Sequence, residues 1–442
     1  MTIHADPDER ATAAVSEVEA DQERARRWGV PTSVLRFPLF DAVHHRDFRY
    51  LWLGQSCTSM AMWMDQVARS WLLYELTSSA WQLGLLQGLQ ALPMLLLSPV
   101  AGTAADRYDR KLQIMAVQIL DAVMYAILAA LIITGQIQPW HVYVSAVFHS
   151  IVSTFHQPAR AAMVSDAVPP RDLTNAIALT SVSFNVSRSA GPALAGMLIA
   201  LVSTAACYTV EGLLYLAATL VTIPLPARLR FPDRASVRQS RAHSFASNIV
   251  EGWRFSWRND TVRSALLVVT SAALFILPFA ALLPVFARDI LGVGAPGQGL
   301  LLTAMGVGAF CSSVVVAALG DRLPRGMIML GGVVLYGLTV ILFAHSTLFA
   351  LSIALMVVAG LFHVTTHTLT QIVVQAYTPP EFRGRTMAIL QQTHVVQMGG
   401  GLVLGGVAAL LGAPMAITVM ATIGTLVAVA IFATVPEARR IH

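Results

Sequence analysis

The sequence predicts an all-α integral membrane protein with 12 transmembrane helices in two pseudo-symmetric six-helix halves. Of its 442 residues, 56% are hydrophobic and only 12% are charged. Mean hydropathy is +0.65; an ordinary soluble domain carries about twice that charged share. Apolar runs near 20 residues recur along the chain, each able to cross about 30 Å of hydrocarbon at about 1.5 Å per residue. Short loop sequences also return in the second half at a nearly constant offset. A water-soluble enzyme does not fit this composition.

The chain opens with a polar stretch of scattered Asp, Glu, Arg and Ala, read as a cytoplasmic tail (1–47) with a short helix around Ala11–Arg27 and no cleavable signal peptide. The N-terminal half (48–225) holds runs at about 50–75, 82–105, 112–134, 141–163, 173–201 and 204–224. A cytoplasmic linker (226–260) follows, in which Phe245, Ile249, Trp253 and Trp257 recur every four residues, as in an amphipathic helix lying in the membrane interface. The C-terminal half (261–436) holds runs near 262–287, 298–320, 327–344, 347–377, 386–411 and 414–435, and 437–442 form a short cytoplasmic end.

Charge bias sets the orientation. With the N-terminus inside, 26 of the 29 basic residues fall in inner loops and tails, Arg160 and Arg171 among them. Arg69 and Arg188 lie within runs, and Arg288 alone lies at an outer end. This positive-inside pattern places both termini in the cytoplasm and explains the net charge of +5 without nucleic acid. Cys57, Cys207 and Cys311 fall in apolar runs without CxxC spacing, which argues against a disulfide framework and a zinc site. No GxxxxGK[ST] run is present, so a driving force comes from an ion gradient rather than from a nucleotide, and no cofactor is expected.

The repeat is most evident in the loops. GTAADRYDRK (Gly102–Lys111) returns as AALGDRLPRG (Ala317–Gly326), which aligns Asp106-Arg107 with Asp321-Arg322, Arg110 with Arg325 and Gly84 with Gly299. VPPRDLTNAIAL (Val168–Leu179) returns as TPPEFRGRTMAI (Thr378–Ile389), which sets Gly191, Ala195 and Gly196 opposite Gly401, Gly405 and Gly406. A duplicated transporter body follows, its halves related by an axis along the membrane normal.

These residues resemble the major facilitator superfamily. Its loop signature between segments 2 and 3 is matched at Gly102, Asp106, Arg107, Arg110 and Lys111, with Asp109 in place of the usual Gly. That variant, the opening HRDFRYLWLGQ (His45–Gln55) and PARAAMVSDAVPPRDLTNAIAL (Pro158–Leu179) resemble the enterobactin-exporter-like, or transmembrane secretion effector, subgroup. The resemblance implies an inner-gate latch at Asp106, Arg107 and Arg110, with a weaker second copy at Asp321, Arg322 and Arg325. It also implies an antiporter-like motif at Gly191, Pro192 and Gly196, and export of siderophores, drugs or related hydrophobic metabolites by alternating access. Topology-setting loop charge and small-residue packing are the plainer readings of these motifs.

Ionisable residues at membrane depth cost about 2.5–3.5 kcal/mol each and tend to face a cavity or a partner. Asp65 and Arg69 share one face of segment 1, and Arg188 lies at similar depth in segment 5, so the sequence offers an Asp65–Arg69 or an Asp65–Arg188 pair for proton coupling. Asp121 and Glu211 are reserve proton carriers, with burial among neutral partners as the alternative. Gln87, Gln90, His156, His363, His367, Gln371 and His394 are candidate cavity residues, and His149 is a further titratable group in segment 4. His363-x-x-x-His367 has metal-ligand spacing, but no Glu follows His363 as in HExxH and no Cys is near, so no metal is assigned. The expected partners are a small-molecule substrate, protons and the lipid bilayer, with the protein a monomer. An uptake symporter uses the same fold, and a transport-inactive receptor or scaffold is the remaining alternative.

Overall fold

The computed structural model describes residues 38–226, 245–319 and 325–434, and every regular element among them is helical. After a 3-10 turn at Pro38–His44 come α1 (Arg46–Thr77), α2 (Ala80–Arg107), α3 (Arg110–Ile133), α4 (Pro139–Ala167), α5 (Leu173–Leu201) and α6 (Thr204–Thr222). Then follow α7 (Phe245–Arg258), α8 (Asp260–Ile290), α9 (Gly294–Leu319), α10 (Arg325–Ala344), α11 (Phe349–Ala376), α12 (Pro380–Leu411) and α13 (Ala413–Thr434). The apolar runs of the sequence coincide with these helices to within a few residues. The segment Ala11–Arg27 lies outside the described residues.

Local chemistry explains the boundaries. Asp109 caps α3 by accepting from the Lys111 and Leu112 amides, so the residue that departs from the family's loop signature has a structural use there. Ser203 caps α6 and Asn259 caps α8 in the same way. Gly135 after α3 and Gly412 before α13 sit at φ +70° and +80°, where a Cβ would be strained. Pro278 and Pro284 punctuate α8, whose backbone passes from α-helix through a π turn at Ala272–Ile276 and a 3-10 turn at Leu277–Leu282 to a second π turn at Phe286–Ile290.

Nine helices among the described residues are long and apolar enough to cross a membrane, rather than the twelve the sequence suggests. The three that fall short are α1, α4 and α5. They are long enough, but Asp, Arg, His, Ser and Asn dilute their apolar content, and these same helices supply most of the candidate site.

Packing follows a few long helix pairs: α1 with α5 and α6, α3 with α6, and α2 with α4; then α11 with α9 and α10, and α10 with α13. Two further pairings, α5 with α9 and α2 with α12, join these groups. Linker helix α7 docks on the start of α12. Phe255 stacks on Phe382 at 4.8 Å, and Arg385 bonds Glu251 at 2.5 Å. Trp253 and Trp257 stay exposed; the side chains of Phe245 and Ile249 lie outside the description.

Candidate functional site

Asp65 and Arg69 lie one turn apart on α1, and the i,i+4 spacing lets their side chains meet. Arg69 Nε donates to Asp65 Oδ2 at 2.9 Å, and its Nη2 lies 2.8 Å from Oδ1. Nη1 donates to Ser145 Oγ of α4 at 2.7 Å. The residues are 6% and 2% exposed. Of the two pairings the sequence allows, the structure forms this one, because Arg188 points its guanidinium elsewhere.

Three neighbouring helices close around the pair. Glu211 of α6 is 0% exposed; its Oε1 accepts from Cys207 Sγ at 3.3 Å, and its Oε2 has no protein partner. Tyr125 of α3 stacks between Tyr208 and Tyr215 of α6, with centroids 6.0 and 5.5 Å away, and the hydroxyls of Tyr125 and Tyr208 are also unpartnered. Asp121, 1% exposed, lies 3.1 Å from His149 Nδ1 of α4. That hydrogen bond is the partner the sequence left unnamed for Asp121. An Arg, an imidazole, three acids and a tyrosine stack thus share one buried region.

A cleft leads from this region along one face of α4. It is lined by Thr58, Asp121, His149, Ser153, His156 and Arg160, among others, and encloses about 40 Å³, room for a few waters and not for a drug-sized ligand. Arg160, counted among inner-loop charges in the sequence, instead lies inside α4 and is 8% exposed. Arg160 falls within the run read at 141–163, two turns before the helix ends at Ala167, so it packs inside the helix group rather than in a loop. Arg160 Nε and His156 Nε2 have no protein partner.

Arg188 sits midway along α5 in a different setting. Its guanidinium lies over the Trp63 ring of α1, 5.5 Å from the centroid. It is within electrostatic reach of Tyr336 on α10 and of His363 and His367 on α11. Tyr336 and His363 are 5.6 Å apart by ring centroids, and His363 and His367 are 6.5 Å apart. Gln87 packs against Gly401, the Gln90 carbonyl accepts from Ser150, and His394 bonds Gln397. Gln371 is half-buried on α11. No group of three or more His, Cys, Asp or Glu among the described residues is arranged to hold a metal ion.

The helix ends differ. At the turn between α2 and α3, Arg110 bonds Asp166 of α4 and the Ala105 carbonyl, and Lys111 reaches the Ile223 carbonyl at 2.8 Å. Asp166 is a partner of Arg110 that the sequence reading missed. The Asp106 side chain, Asp321, Arg322 and the Arg325 side chain lie outside the description; Arg107 is exposed and Gly102 has open space around it.

At the opposite end the two helix groups interlock. Gly84 of α2 approaches Gly405 of α12 so closely that a Cβ on Gly84 would lie 2.6 Å from the Gly405 Cα. Gly299 of α9 meets the Pro192 carbonyl of α5 in the same manner at 2.3 Å, and Gly196 meets the Ala295 carbonyl at 2.7 Å. Gly191 abuts Trp63. Tyr74 donates to Asp289, Arg288 bonds the Tyr74 carbonyl and Ser78 Oγ, and Gln298 donates to Ser70. Nothing in the spacing signals these last contacts, which join residues more than 200 positions apart.

Comparison with known proteins supplies the context. The family model described as transmembrane secretion effector matches residues 39–440. The MFS-type transporter YfiS of Bacillus subtilis is 27% identical over 84% of this chain and 88% of its own. The staphyloferrin A transporter of Staphylococcus aureus is 23% identical over 80% and 88%, and macrolide efflux protein A of Streptococcus pyogenes 23% over 81% and 88%. Among solved structures, the nucleoside transporter NupG superposes with a TM-score of 0.65 at 14% identity, covering 87% of this chain and 98% of that one, which speaks to the fold alone. The chain belongs to the transmembrane secretion effector family of major facilitator transporters, and it is a multi-pass membrane transporter of small molecules rather than an enzyme.

Proposed function

We propose that the protein is a proton-coupled exporter of a small organic compound, a siderophore, drug or hydrophobic metabolite, working by alternating access in a bacterial plasma membrane. Helices α1–α6 and α8–α13 are its two six-helix halves, giving twelve spans with both termini cytoplasmic, in a monomer. α7 lies in the inner interface. The three spans of lower hydropathy, α1, α4 and α5, are tolerated because their polar faces look into protein or a water-filled path. With the Arg46 end of α1 inside, the interlocked glycine end is the outer face, so this conformation is open inward.

The Asp65–Arg69 pair carries this reading. Two charges held by each other and by Ser145 form a stable unit only while both are ionised. Protonation of Asp65 leaves Arg69 held by Ser145 alone and frees the guanidinium to compete for Glu211. The cleft past Asp121–His149 supplies the water route from the inner side, with His156 and Arg160 on its wall. Asp121 and Glu211 are the secondary proton carriers. On the inner face, Asp106, Arg107, Arg110 and Lys111, with Asp321, Arg322 and Arg325, form the latch that closes when the outer face opens; Arg110–Asp166 is its partner within the first half. The names of the relatives, a staphyloferrin A transporter and a macrolide efflux protein, favour export.

The test is direct. Cells lacking and overproducing the protein are compared by untargeted mass spectrometry of medium and cytosol, and the exported compound is then followed in proteoliposomes. An imposed pH gradient is expected to drive its movement in the wild type, and Asp65→Asn to abolish gradient-driven flux while leaving exchange at equal pH. If Asp65→Asn keeps gradient-driven flux with its pH dependence intact, the coupling assignment fails.

A further inference from the structure

Arg188 poses a problem of charge compensation. It lies at the middle of α5 (Leu173–Leu201), Trp63 at the middle of α1, and His363 at the middle of α11 (Phe349–Ala376). Among the described residues no carboxylate pairs with it, and its guanidinium rests on the Trp63 ring face. A ring face binds the plane of a guanidinium and leaves its edge, with five N–H donors, open to another partner.

The surroundings make the lack systematic. From residue 261 to 434 the only acidic residues are Asp289, Asp321 and Glu381. Asp289 lies at the end of α8 and is taken by Tyr74, and Glu381 lies in the first turn of α12. Within α1–α6, Asp65 is committed to Arg69, Asp121 to His149 and Glu211 to Cys207. The groups within electrostatic reach of Arg188 from α10 and α11 are the Tyr336 hydroxyl and His363 Nδ1, both buried without a protein partner, and His367 beside them, none of which carries a negative charge to offset it. An arginine with no carboxylate partner, beside a phenol and an imidazole whose buried polar atoms have no protein partner, between helices of both groups, is the setting that an anion would complete.

We propose that Arg188 is the anchor of the substrate site, and that the transported compound carries a carboxylate on an aromatic or apolar body. The carboxylate lies along the guanidinium edge, which its two oxygens match, with Tyr336 and His363 donating to the same group. The body rests between Trp63 and the second helix group. The Asp65–Arg69 unit stays behind α1, so binding charge and coupling charge are separate. This inference rests on the chain being a transporter and on neither direction nor proton coupling.

The probes are 1-naphthoate and its neutral isostere 1-naphthamide, with binding to the full chain in lipid nanodiscs read by quenching of tryptophan fluorescence and by calorimetry, with no pH gradient. Wild-type protein is expected to bind naphthoate in preference to naphthamide. Arg188→Gln is expected to weaken naphthoate about 10-fold or more, with naphthamide affinity and melting temperature unchanged. Arg188→Lys, which keeps the charge and loses the fork, falls between them. Tyr336→Phe gives a smaller loss and carries the comparison, together with the lysine variant, if the glutamine variant does not fold. Absence of naphthoate binding at millimolar concentration, equal binding of the two probes, or unchanged naphthoate affinity in the variants overturns the proposal. Because no gradient is applied, failure of the export or coupling reading leaves these outcomes untouched.

Discussion

The interiors of α1–α6 and α8–α13 are held together by different means. In α1–α6, polar side chains cross between helices at Asp65–Arg69–Ser145, Asp121–His149 and Ser150 to the Gln90 carbonyl, and two of the glycines have room, since a Cβ on Gly54 or Gly212 would meet its nearest neighbour at 3.6 or 3.4 Å, while one on Gly191 would lie 2.7 Å from the Trp63 Cβ. In α8–α13 buried charge is absent from the middle of the helices, and backbones press together instead. A Cβ on Gly308 would lie 1.9 Å from the Val357 carbonyl, on Gly360 2.0 Å from the Met305 carbonyl, and on Gly400 2.2 Å from the Leu274 carbonyl. Lipid tails give helices no hydrophobic reason to associate, so packing and hydrogen bonds must do so. The two helix groups thus rely on different means, and the buried charge of the described membrane-spanning helices is concentrated in α1–α6.

Three substitutions probe this contrast. Arg69→Ala strands Asp65 as an uncompensated buried charge and is expected to destabilise the protein by about 3–5 kcal/mol, seen as a large fall in thermal unfolding temperature in detergent; a shift no greater than that of a surface variant would mean that charge is not what joins α1 to α4. Gly360→Ala drives a methyl into the Met305 backbone and is expected to cost about 1–3 kcal/mol in the same assay, with little change in pH response. Gly212→Ala meets only ordinary contact at 3.4 Å and is expected to stay within about 0.5 kcal/mol of wild type. Should Gly212→Ala prove as damaging as Gly360→Ala, the division between the two interiors disappears.

Most of the helices were legible in the sequence because a membrane span needs only a long apolar run, and such runs are visible without any partner. Asp65–Arg69 was legible for a related reason: i,i+4 on one helix is a local relation. Contacts between distant segments carry no such mark. Arg110 with Asp166 and Tyr74 with Asp289 require knowing which helices are neighbours, and Arg160 was misplaced because its charge was read as loop charge although it lies inside an apolar run. The internal repeat was informative in an indirect way. It aligns Gly84 with Gly299, two residues that never meet; what the structure adds is that each presses on the helix group opposite, Gly84 on Gly405 and Gly299 on Pro192 and Gly196.

That paired crossing bears on how the molecule moves. Where main chain lies on main chain there are no rotamers to freeze when the seam shuts, so the side-chain ordering it requires is confined to the few polar contacts beside it, Tyr74–Asp289, Arg288–Ser78 and Gln298–Ser70. A seam of that kind concentrates what must be made and broken at those few side chains rather than along the length of the crossing.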